Sequence, residues 1–359
     1  MAQPRSRTPR LFQPAVYYAT RSVIAAACVP PFPIARHWAQ VVGRWYATSR
    51  INQRHFKRAK ENIHVAFPDW DADRVAHTAL LSHEHLTTFG VELAFVPRLL
   101  TEDGWVRHIS FGNIEPALHE LVKAGPCILI TGHCGNWESL GYTMALLGFP
   151  MHAVYRPLDI PSMDRWVRRT RSRRGLELVD KFGAVRKLPA LLRAGAPIGL
   201  VADQNGGDRG VFVPFFNRLT STYKSIGLLA LQFNAKIICG FARREPIKNP
   251  TLLGHRLEMT DIFGPEEWNT HPDPLFYLTA RFRYAIERMV RSAPDQYLWM
   301  HRIWRSRPRH ERLNKPLPDS LLDKIRLLPW MTDAAIEQLK EHSVRDARTL
   351  AETGRHRLS

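Results

Sequence analysis

The residues best suited to chemistry lie in the segment Gly132–Glu138 (GHCGNWE), which holds a histidine and, five positions later, a carboxylate. A hydroxyl that acts as a nucleophile needs a base, because its own pKa is far too high for unaided attack, and histidine takes up protons near neutral pH. A carboxylate on the second ring nitrogen fixes the tautomer and stabilises the imidazolium ion. We therefore predict that His133 is a general base and that Glu138 orients it.

The spacing is weak by itself, because a chain with 16 histidines and 33 acidic residues produces such pairs by chance. His64 and Asp69 form a second pair at the same spacing. His133, however, comes just after the apolar run Cys127–Thr131, and ligands of open α/β sheets bind beyond the carboxyl ends of strands. We interpret His64, which has no glycine nearby, as structural. The alternative for His133 is a solvent-facing residue of a capped helix.

The turn around His133 has residues suited to a sharp change of direction and a helix start. Gly132 and Gly135 permit backbone conformations that other residues avoid, and Asn136 is a favourable helix N-cap. Glu138 then falls in the first helical turn. We expect the N–H groups from Gly135 to Trp137 to stabilise an oxyanion.

The elements that must position this turn alternate between strand-like and helix-like segments. Continuous apolar runs typical of strands buried on both faces are Cys127–Thr131, Pro197–Ala202 and Ala235–Phe241. Helix-like segments are Trp137–Leu147, Asp164–Arg174, Val185–Ala194 and Thr222–Phe233. This order predicts an α/β fold with a mostly parallel central sheet flanked by helices.

The composition is that of a globular protein with an unusual charge. Of 359 residues, 45% are apolar and 23% are charged, which excludes a disordered chain. The formal net charge of +18 indicates anionic partners such as an anionic membrane surface, an acidic protein or nucleic acid. The four cysteines are scattered and no Cys/His group has metal-ligand spacing, so we expect free thiols, no metal and no cofactor.

Residues 1–50 are predicted to form an N-terminal helical segment at a membrane interface. The uninterrupted apolar stretch Val23–Ile34 is shorter than the roughly 20 residues needed to cross a bilayer. The residues that follow suit the headgroup region and include Arg36, His37, Trp38, Arg44, Trp45 and Tyr46. We therefore expect peripheral or monotopic binding rather than a spanning helix; the alternative is a helix packed on the main domain.

We divide the rest of the chain into a main domain at residues 51–315 and a small helical tail at residues 316–359. From Asp319 onward, the seven acidic and seven basic residues of the tail cancel. Leu327–Thr353 loosely resembles a helix-hairpin-helix module but lacks the hairpin glycines of many DNA-binding examples. We expect packing or protein contact rather than DNA binding.

The segment Gly132–Glu138 resembles the HX4E signature of the bacterial lipid A biosynthesis late acyltransferases, the lauroyl and myristoyl transferase family. Further colinear similarities are RAKENIHVAFP (58–68), VYRP (154–157), LVADQ (200–204), VFVPFF (211–216) and QYLWMHRIWRSRP (296–308). Together they are far more specific than HX4E alone. The chain departs at Cys134, where a bulky apolar residue is usual; direct transfer needs no thiol, so we expect Cys134 not to be a nucleophile.

The resemblance implies a fold like that of glycerolipid acyltransferases and transfer of a fatty acyl chain to a hydroxyl of a glycolipid, such as a lipid A precursor. It implies acyl carrier protein as donor and the cytoplasmic face of the inner membrane as location; no nucleic acid is expected as partner. His133 and Glu138 match the catalytic pair. Positions expected to bind substrate are Asn136, Trp137, Arg156, Asp203 and Gln204, with positioning of the base as the alternative role for Arg156 and Asp203.

The sequence leaves two alternatives open: an acyltransferase for another sugar lipid or a phospholipid, and a basic nucleic-acid-binding protein. Three basic clusters favour lipid headgroups, acceptor phosphates or the donor carrier as partners, with plain solvation as the alternative. The clusters are Arg165, Arg168, Arg169, Arg171, Arg173 and Arg174; Arg50, Arg54, Lys57, Arg58 and Lys60; and Arg302, Arg305, Arg307 and Arg309.

Overall fold

The computed structural model of this protein describes residues 9–172 and 175–358. Its α-helices are α1 (Gln13–Ala27), α2 (Phe32–Thr48), α3 (Gln53–Ala66), α4 (Ala72–Leu99), α5 (Glu115–Val122), α6 (Trp137–Leu146), α7 (Pro161–Arg171), α8 (Ala184–Arg193), α9 (Lys224–Phe233), α10 (Pro265–Trp268), α11 (Pro274–Ser292), α12 (Arg309–Arg312), α13 (Asp319–Arg326) and α14 (Asp333–Thr353). Its strands are β1 (Ile109–Phe111), β2 (Cys127–Thr131), β3 (His152–Tyr155), β4 (Glu177–Asp180), β5 (Ile198–Val201), β6 (Val211–Phe215), β7 (Arg218–Thr222), β8 (Lys236–Arg244) and β9 (His255–Phe263).

The centre of the fold is a seven-stranded sheet in the order β1-β9-β8-β2-β5-β3-β4, while β6 and β7 form a separate antiparallel hairpin. Neighbouring strands of the large sheet are parallel except for β8 and β9. Successive side chains of β2 enter two different cores, with Ile128 and Ile130 in one and Cys127 in the other. Helices therefore cover both faces of the sheet, which explains the continuous apolar run of β2 and confirms the mostly parallel α/β fold.

The segments predicted as strands and helices are present, with end shifts of a few residues. Thr222 was expected to begin a helix, but it ends β7, and α9 begins at Lys224. The helix expected from Asp164 begins earlier, at Pro161, whose fixed φ suits the first helical turn. Residues 173 and 174, expected at its end and in the first arginine cluster, lie outside the described residues.

Helix α2 is amphipathic, and its small-residue side is buried. Its buried positions are Phe32, Ala35, Ala39, Gly43 and Ala47. Gly43 permits a close approach to α4, since a Cβ there would lie 2.6 Å from the Cα of Glu84. Trp38 and Trp45 lie on the opposite side and are 60% and 63% exposed. Within the described residues, the structure contains no helix with the combined length and apolarity needed to cross a membrane.

The predicted tail shares the core of the main body. Leu322 and Ile325 of α13 and Ile336 and Leu339 of α14 are buried in the same cluster as the β2 residue Ile128. Helices in proteins gain most of their stability from the packing of an apolar face in this way. The division of the chain at residues 50 and 315 stays a prediction.

Candidate active site

Strand register brings His133 together with Asp203. Strands β2 and β5 are parallel neighbours, and Thr131 at the end of β2 pairs with Val201 at the end of β5. The amide of Ala202 donates to the carbonyl of Thr131 at 2.8 Å, which extends the alignment by one residue. His133 and Asp203 each lie two positions beyond the paired strand ends, so both side chains meet at the carboxyl edge of the sheet.

The Asp203 carboxylate holds His133 through two contacts. His133 Nδ1 lies 2.7 Å from Asp203 Oδ1, and the His133 amide donates to Oδ2 at 2.9 Å. Burial opposes ionisation of Asp203, but the electrostatic attraction and hydrogen bond of the His133 ring, with His301 and Arg283 nearby, lower its pKa well below the usual range. An ionised carboxylate on Nδ1 keeps the proton on that nitrogen and leaves Nε2 as the proton acceptor.

The predicted pairing of His133 with Glu138 is not the one in the structure. Glu138 is almost fully buried in the first turn of α6, where it forms an ion pair with Arg171 at the end of α7. Burial lowers the pKa of Arg171 to about 10, and a buried guanidinium requires such a counter-charge. The carboxylate on Nδ1 is supplied by Asp203 instead, because the helix direction turns Glu138 toward α7.

The turn before α6 is held by backbone hydrogen bonds. These bonds occupy amides that were expected to stabilise an oxyanion. Gly135 has φ +64°, and a Cβ there would lie 2.1 Å from the carbonyl oxygen of Ala242. The Gly135 amide donates to Gln296 O at 2.9 Å and the Asn136 amide to Ala242 O at 2.6 Å. Two of the three amides expected to bind an oxyanion are therefore already used inside the protein.

Asn136 supports the turn from inside the protein, and its predicted contact with substrate stays a prediction. It is 1% exposed, its side-chain oxygen accepts from the Ser139 amide as the helix N-cap, and its Nδ2 donates to Glu92 at 2.9 Å. Both ends of the side-chain amide thus support the turn from inside. Its sequence context signalled the N-cap correctly.

A buried ion pair next to Asn136 was not predicted from the sequence. Arg244 donates from Nε and Nη2 to the two carboxylate oxygens of Glu92, at 2.7 and 2.9 Å. Burial raises the pKa of Glu92, but Arg244 and His255 outweigh it and hold the pKa well below its usual range. These residues come from α4, β8 and β9, so no local pattern could have connected them with the His133 turn.

Aromatic rings surround the exposed side of His133. The ring centroids of Trp137 and His301 lie 4.8 and 4.7 Å from that of His133. Phe89 of α4 stacks on Trp137 with a centroid separation of 4.0 Å. Burial, reinforced by the neighbouring His133, lowers the pKa of His301 to about 4, so His301 is neutral near pH 7. His301 was not predicted as a site residue, although it lies in the similar segment 296–308.

The other predicted site residues lie at the same edge of the sheet. Arg156 follows β3, is exposed, and approaches Asp159 at 3.6 Å. Gln204 is exposed and adjacent to Asp203. Cys134 is fully buried with its Sγ near the Met289 carbonyl, and burial raises the pKa of this thiol far above its usual value. Among the described residues, no group of three His, Cys, Asp or Glu side chains is arranged to hold a metal ion.

Known sequences are similar to this chain over most of its length. The profile of the bacterial lipid A biosynthesis acyltransferases matches residues 3–306. A lipid A biosynthesis acyltransferase of Haemophilus influenzae is 26% identical over 77% of this chain and 86% of its own length. Two Escherichia coli proteins are also similar. The lipid A biosynthesis lauroyltransferase is 29% identical over 77% of this chain and 87% of its own, and the palmitoleoyltransferase is 28% identical over 70% and 78%.

Proposed function

The chain belongs to the bacterial lipid A biosynthesis acyltransferase family and is an acyltransferase enzyme, and on that premise we propose that His133 catalyses transfer of a fatty acyl chain from an acyl thioester to a hydroxyl of a lipid A-type glycolipid. The observation that carries the role of His133 is the contact of its Nδ1 with the buried Asp203 carboxylate at 2.7 Å. The names of the lauroyl and palmitoleoyl transferases support a fatty acyl group as cargo. Acyl carrier protein is the proposed donor.

In the proposed reaction, both substrates are bound together and the acyl group moves directly. His133 Nε2 takes the proton of the acceptor hydroxyl as its oxygen bonds to the thioester carbon. Asp203 stabilises the imidazolium that forms. When the carbon–sulfur bond breaks, the same proton passes to the leaving thiolate, so the base is regenerated and no acyl-enzyme forms. No step requires a cofactor.

The remaining predicted residues have supporting places in this proposal. The ion pair of Glu138 with Arg171 ties the start of α6, and so the His133 turn, to α7. Trp137 covers one side of the His133 ring and is proposed to contact the substrates there. Arg156 and Gln204 are exposed at the same sheet edge and are proposed to contact the acceptor.

We place the enzyme at the cytoplasmic face of the inner membrane, bound peripherally through its N-terminal helices. The exposed apolar residues of this region include Leu11, Phe12, Tyr18, Val23, Val29, Trp38 and Trp45. Helix α7 lies against α1, with the Arg21 guanidinium 4.9 Å from the ring centroid of Trp166. Arginines of α7 are exposed beside this apolar surface. Apolar side chains next to basic ones suit an anionic membrane interface.

The decisive experiment combines acyl transfer by purified variants with mass spectrometry of the lipid product. His133→Ala is expected to abolish transfer while the protein stays folded and membrane-bound, with a lower melting temperature because the buried Asp203 loses a partner. His64→Ala, an exposed histidine of α3, is the matched control and is expected to be active. An active His133→Ala variant, or a wild type that acylates no glycolipid, would refute the proposal.

A further inference from the structure

A cavity of about 250 Å³ lies between α3, the segment that follows His301, and the tail helix α14. We call it the arginine pocket, because its basic lining side chains are Arg58, Arg218, Arg302, Arg305 and Arg345. Two carboxylates, Glu61 and Asp346, also line it.

Both of these carboxylates are already paired with cations. Glu61 lies 3.9 Å from Lys57, one turn earlier on the exposed side of α3. Asp346 accepts from Arg218 Nε at 2.8 Å and Nη2 at 2.6 Å, and it also contacts Arg307 at 2.7 Å. Asp346 is therefore fully engaged, whereas Glu61, in a long and exposed pair, still offsets part of the charge of the neighbouring Arg58.

The remaining arginines have an unbalanced positive charge. Within residues 9–172 and 175–358, Arg302, Arg305 and Arg345 form no ion pair with a carboxylate. Arg58 donates a long hydrogen bond, 3.4 Å, to the carbonyl of Met300. Burial and the charge of Arg302 lower the pKa of Arg58, and Glu61 opposes this shift without cancelling it. Like charges gathered around a concavity repel one another unless an anion binds there.

The pocket is connected to the catalytic histidine through His301. Arg302 directly follows His301, whose ring lies 4.7 Å from that of His133. Even Arg305 is at most about 14 Å from His301, because four extended residues span no more than that. On the other side, Asn62 of α3 fixes the segment by donating to the carbonyls of Trp299 and His301 at 2.7 and 2.9 Å. A group bound in the pocket is therefore within reach of the same substrate that contacts His133.

We propose that the arginine pocket binds a phosphate group. Guanidinium forks match the oxygens of phosphate, and a cavity of this volume admits one such group with part of a sugar, but not a protein helix. The phosphate belongs either to the sugar of the acceptor lipid or to a soluble phosphate compound. The lipid version rests on the proposed function and adds a contact that includes Arg345 of the tail, beyond the matched residues 3–306.

Binding is tested first, without donor, on the full-length protein. Calorimetric titration of the wild type with glucosamine 1-phosphate and with inorganic phosphate is expected to show binding. Arg302→Gln and Arg345→Gln are each expected to weaken it about tenfold or more, since each removes a charged hydrogen-bond donor. Both side chains are exposed, so the variants are expected to fold. The matched controls, Arg309→Gln and Arg348→Gln, change exposed arginines outside the pocket and are expected to bind as the wild type does.

Kinetics then identify the source of the phosphate. If it belongs to the acceptor, the ratio of KM for dephosphorylated and phosphorylated glycolipid falls about tenfold in Arg302→Gln and Arg345→Gln but not in the controls. If it is a soluble compound, binding is lost in these variants while that ratio stays at the wild-type value.

Three outcomes would overturn the proposal that the arginine pocket binds phosphate. They are absence of phosphate binding by the wild type, equal weakening in the control variants, and binding of a DNA duplex through Arg302 and Arg345 without binding of glucosamine 1-phosphate. These outcomes are independent of catalysis. A wild type that binds glucosamine 1-phosphate but transfers no acyl group would contradict the proposed function and leave the pocket standing.

Discussion

At the residue scale, the site depends on which ring nitrogen of His133 carries the proton. A carboxylate 2.7 Å from Nδ1 accepts the proton of that nitrogen and keeps Nε2 free to act as a base. Asp203 is 2% exposed and also accepts from the His133 amide, so its position is fixed together with the turn. Orientation and tautomer are thus controlled by the same side chain.

Replacing Asp203 by asparagine tests this control. The asparagine amide can donate to Nδ1 and favours the tautomer with its proton on Nε2, so we expect kcat to fall by about 10²–10⁴ without loss of fold. Asp208→Asn is the matched control, since Asp208 follows the same strand and pairs with Arg357 instead. An Asp203→Asn variant with wild-type kcat, beside an inactive Glu138→Gln variant, would restore the original pairing of His133 with Glu138.

A second residue-scale prediction concerns His310, whose pKa burial lowers to about 4, with Arg307 adding to the effect. The folded protein disfavours the protonated form, so below the unfolded pKa of about 6.5 the unfolded chain binds the proton first. The free energy of unfolding is therefore expected to fall, by up to about 3 kcal/mol from this group, as the pH drops from about 6.5 to about 4.

Urea unfolding of His310→Gln across that pH window measures the contribution. The loss of stability is expected to be smaller than in the wild type, although other buried histidines such as His85 preserve part of it. His64→Gln, an exposed replacement on α3, is expected to keep the full wild-type dependence. Identical slopes for the wild type and His310→Gln would contradict this account.

At the scale of elements, the tail is bound to the main body by a buried ion network. Asp346 of α14 contacts Arg218 of β7 and Arg307, which also pairs with Glu311 at 2.6 Å. Arg307 is 0% exposed, although it belongs to a basic cluster that was expected to face an anionic partner. Its charge is balanced inside the protein and takes no part in external binding.

Removing Asp346 tests how much the tail depends on this network. Asp346→Ala leaves two buried guanidinium groups with one carboxylate fewer, and we expect a loss of about 3–5 kcal/mol in the free energy of unfolding. Glu352→Ala changes an exposed carboxylate of the same helix and is expected to have little effect. Equal losses in the two variants, measured by urea denaturation, would argue against the network.

At the scale of the whole molecule, charge is unevenly distributed. The net charge is +18, yet the acidic and basic residues from Asp319 onward cancel, so the excess lies in the earlier part of the chain. That part also presents the exposed apolar residues of α1 and α2. Long-range attraction to anionic lipid followed by insertion of apolar side chains is the expected order of events at a membrane.

Flotation with vesicles tests this view of membrane binding. Vesicles that contain phosphatidylglycerol are expected to bind more protein than neutral phosphatidylcholine vesicles. The amount bound is expected to fall as salt rises, because the screening length falls from about 10 Å to about 3 Å. Trp38→Ser and Trp45→Ser are expected to weaken binding at every salt concentration without lowering the melting temperature, because both rings are exposed. Binding that resists both high salt and alkaline carbonate would contradict peripheral association.

The sequence by itself determined the features that depend on neighbouring residues. The apolar run Cys127–Thr131 is a strand with the predicted ends, Asn136 caps the helix that follows, and colinear similarity identified the family. Periodicity, glycine content and capping act over a few residues, so they can be interpreted without knowing which strands are neighbours.

Only the tertiary structure decided which carboxylate meets His133. Glu138 is five positions away in sequence, but the helix it begins directs it to Arg171. Asp203, 70 positions away, reaches Nδ1 because β2 and β5 are adjacent, parallel and in register. The Glu92–Arg244 pair and the pocket that α14 completes also depend on strand order and packing, so the sequence did not predict them. Contacts between distant residues follow from the order of strands in the sheet, which a local pattern does not contain.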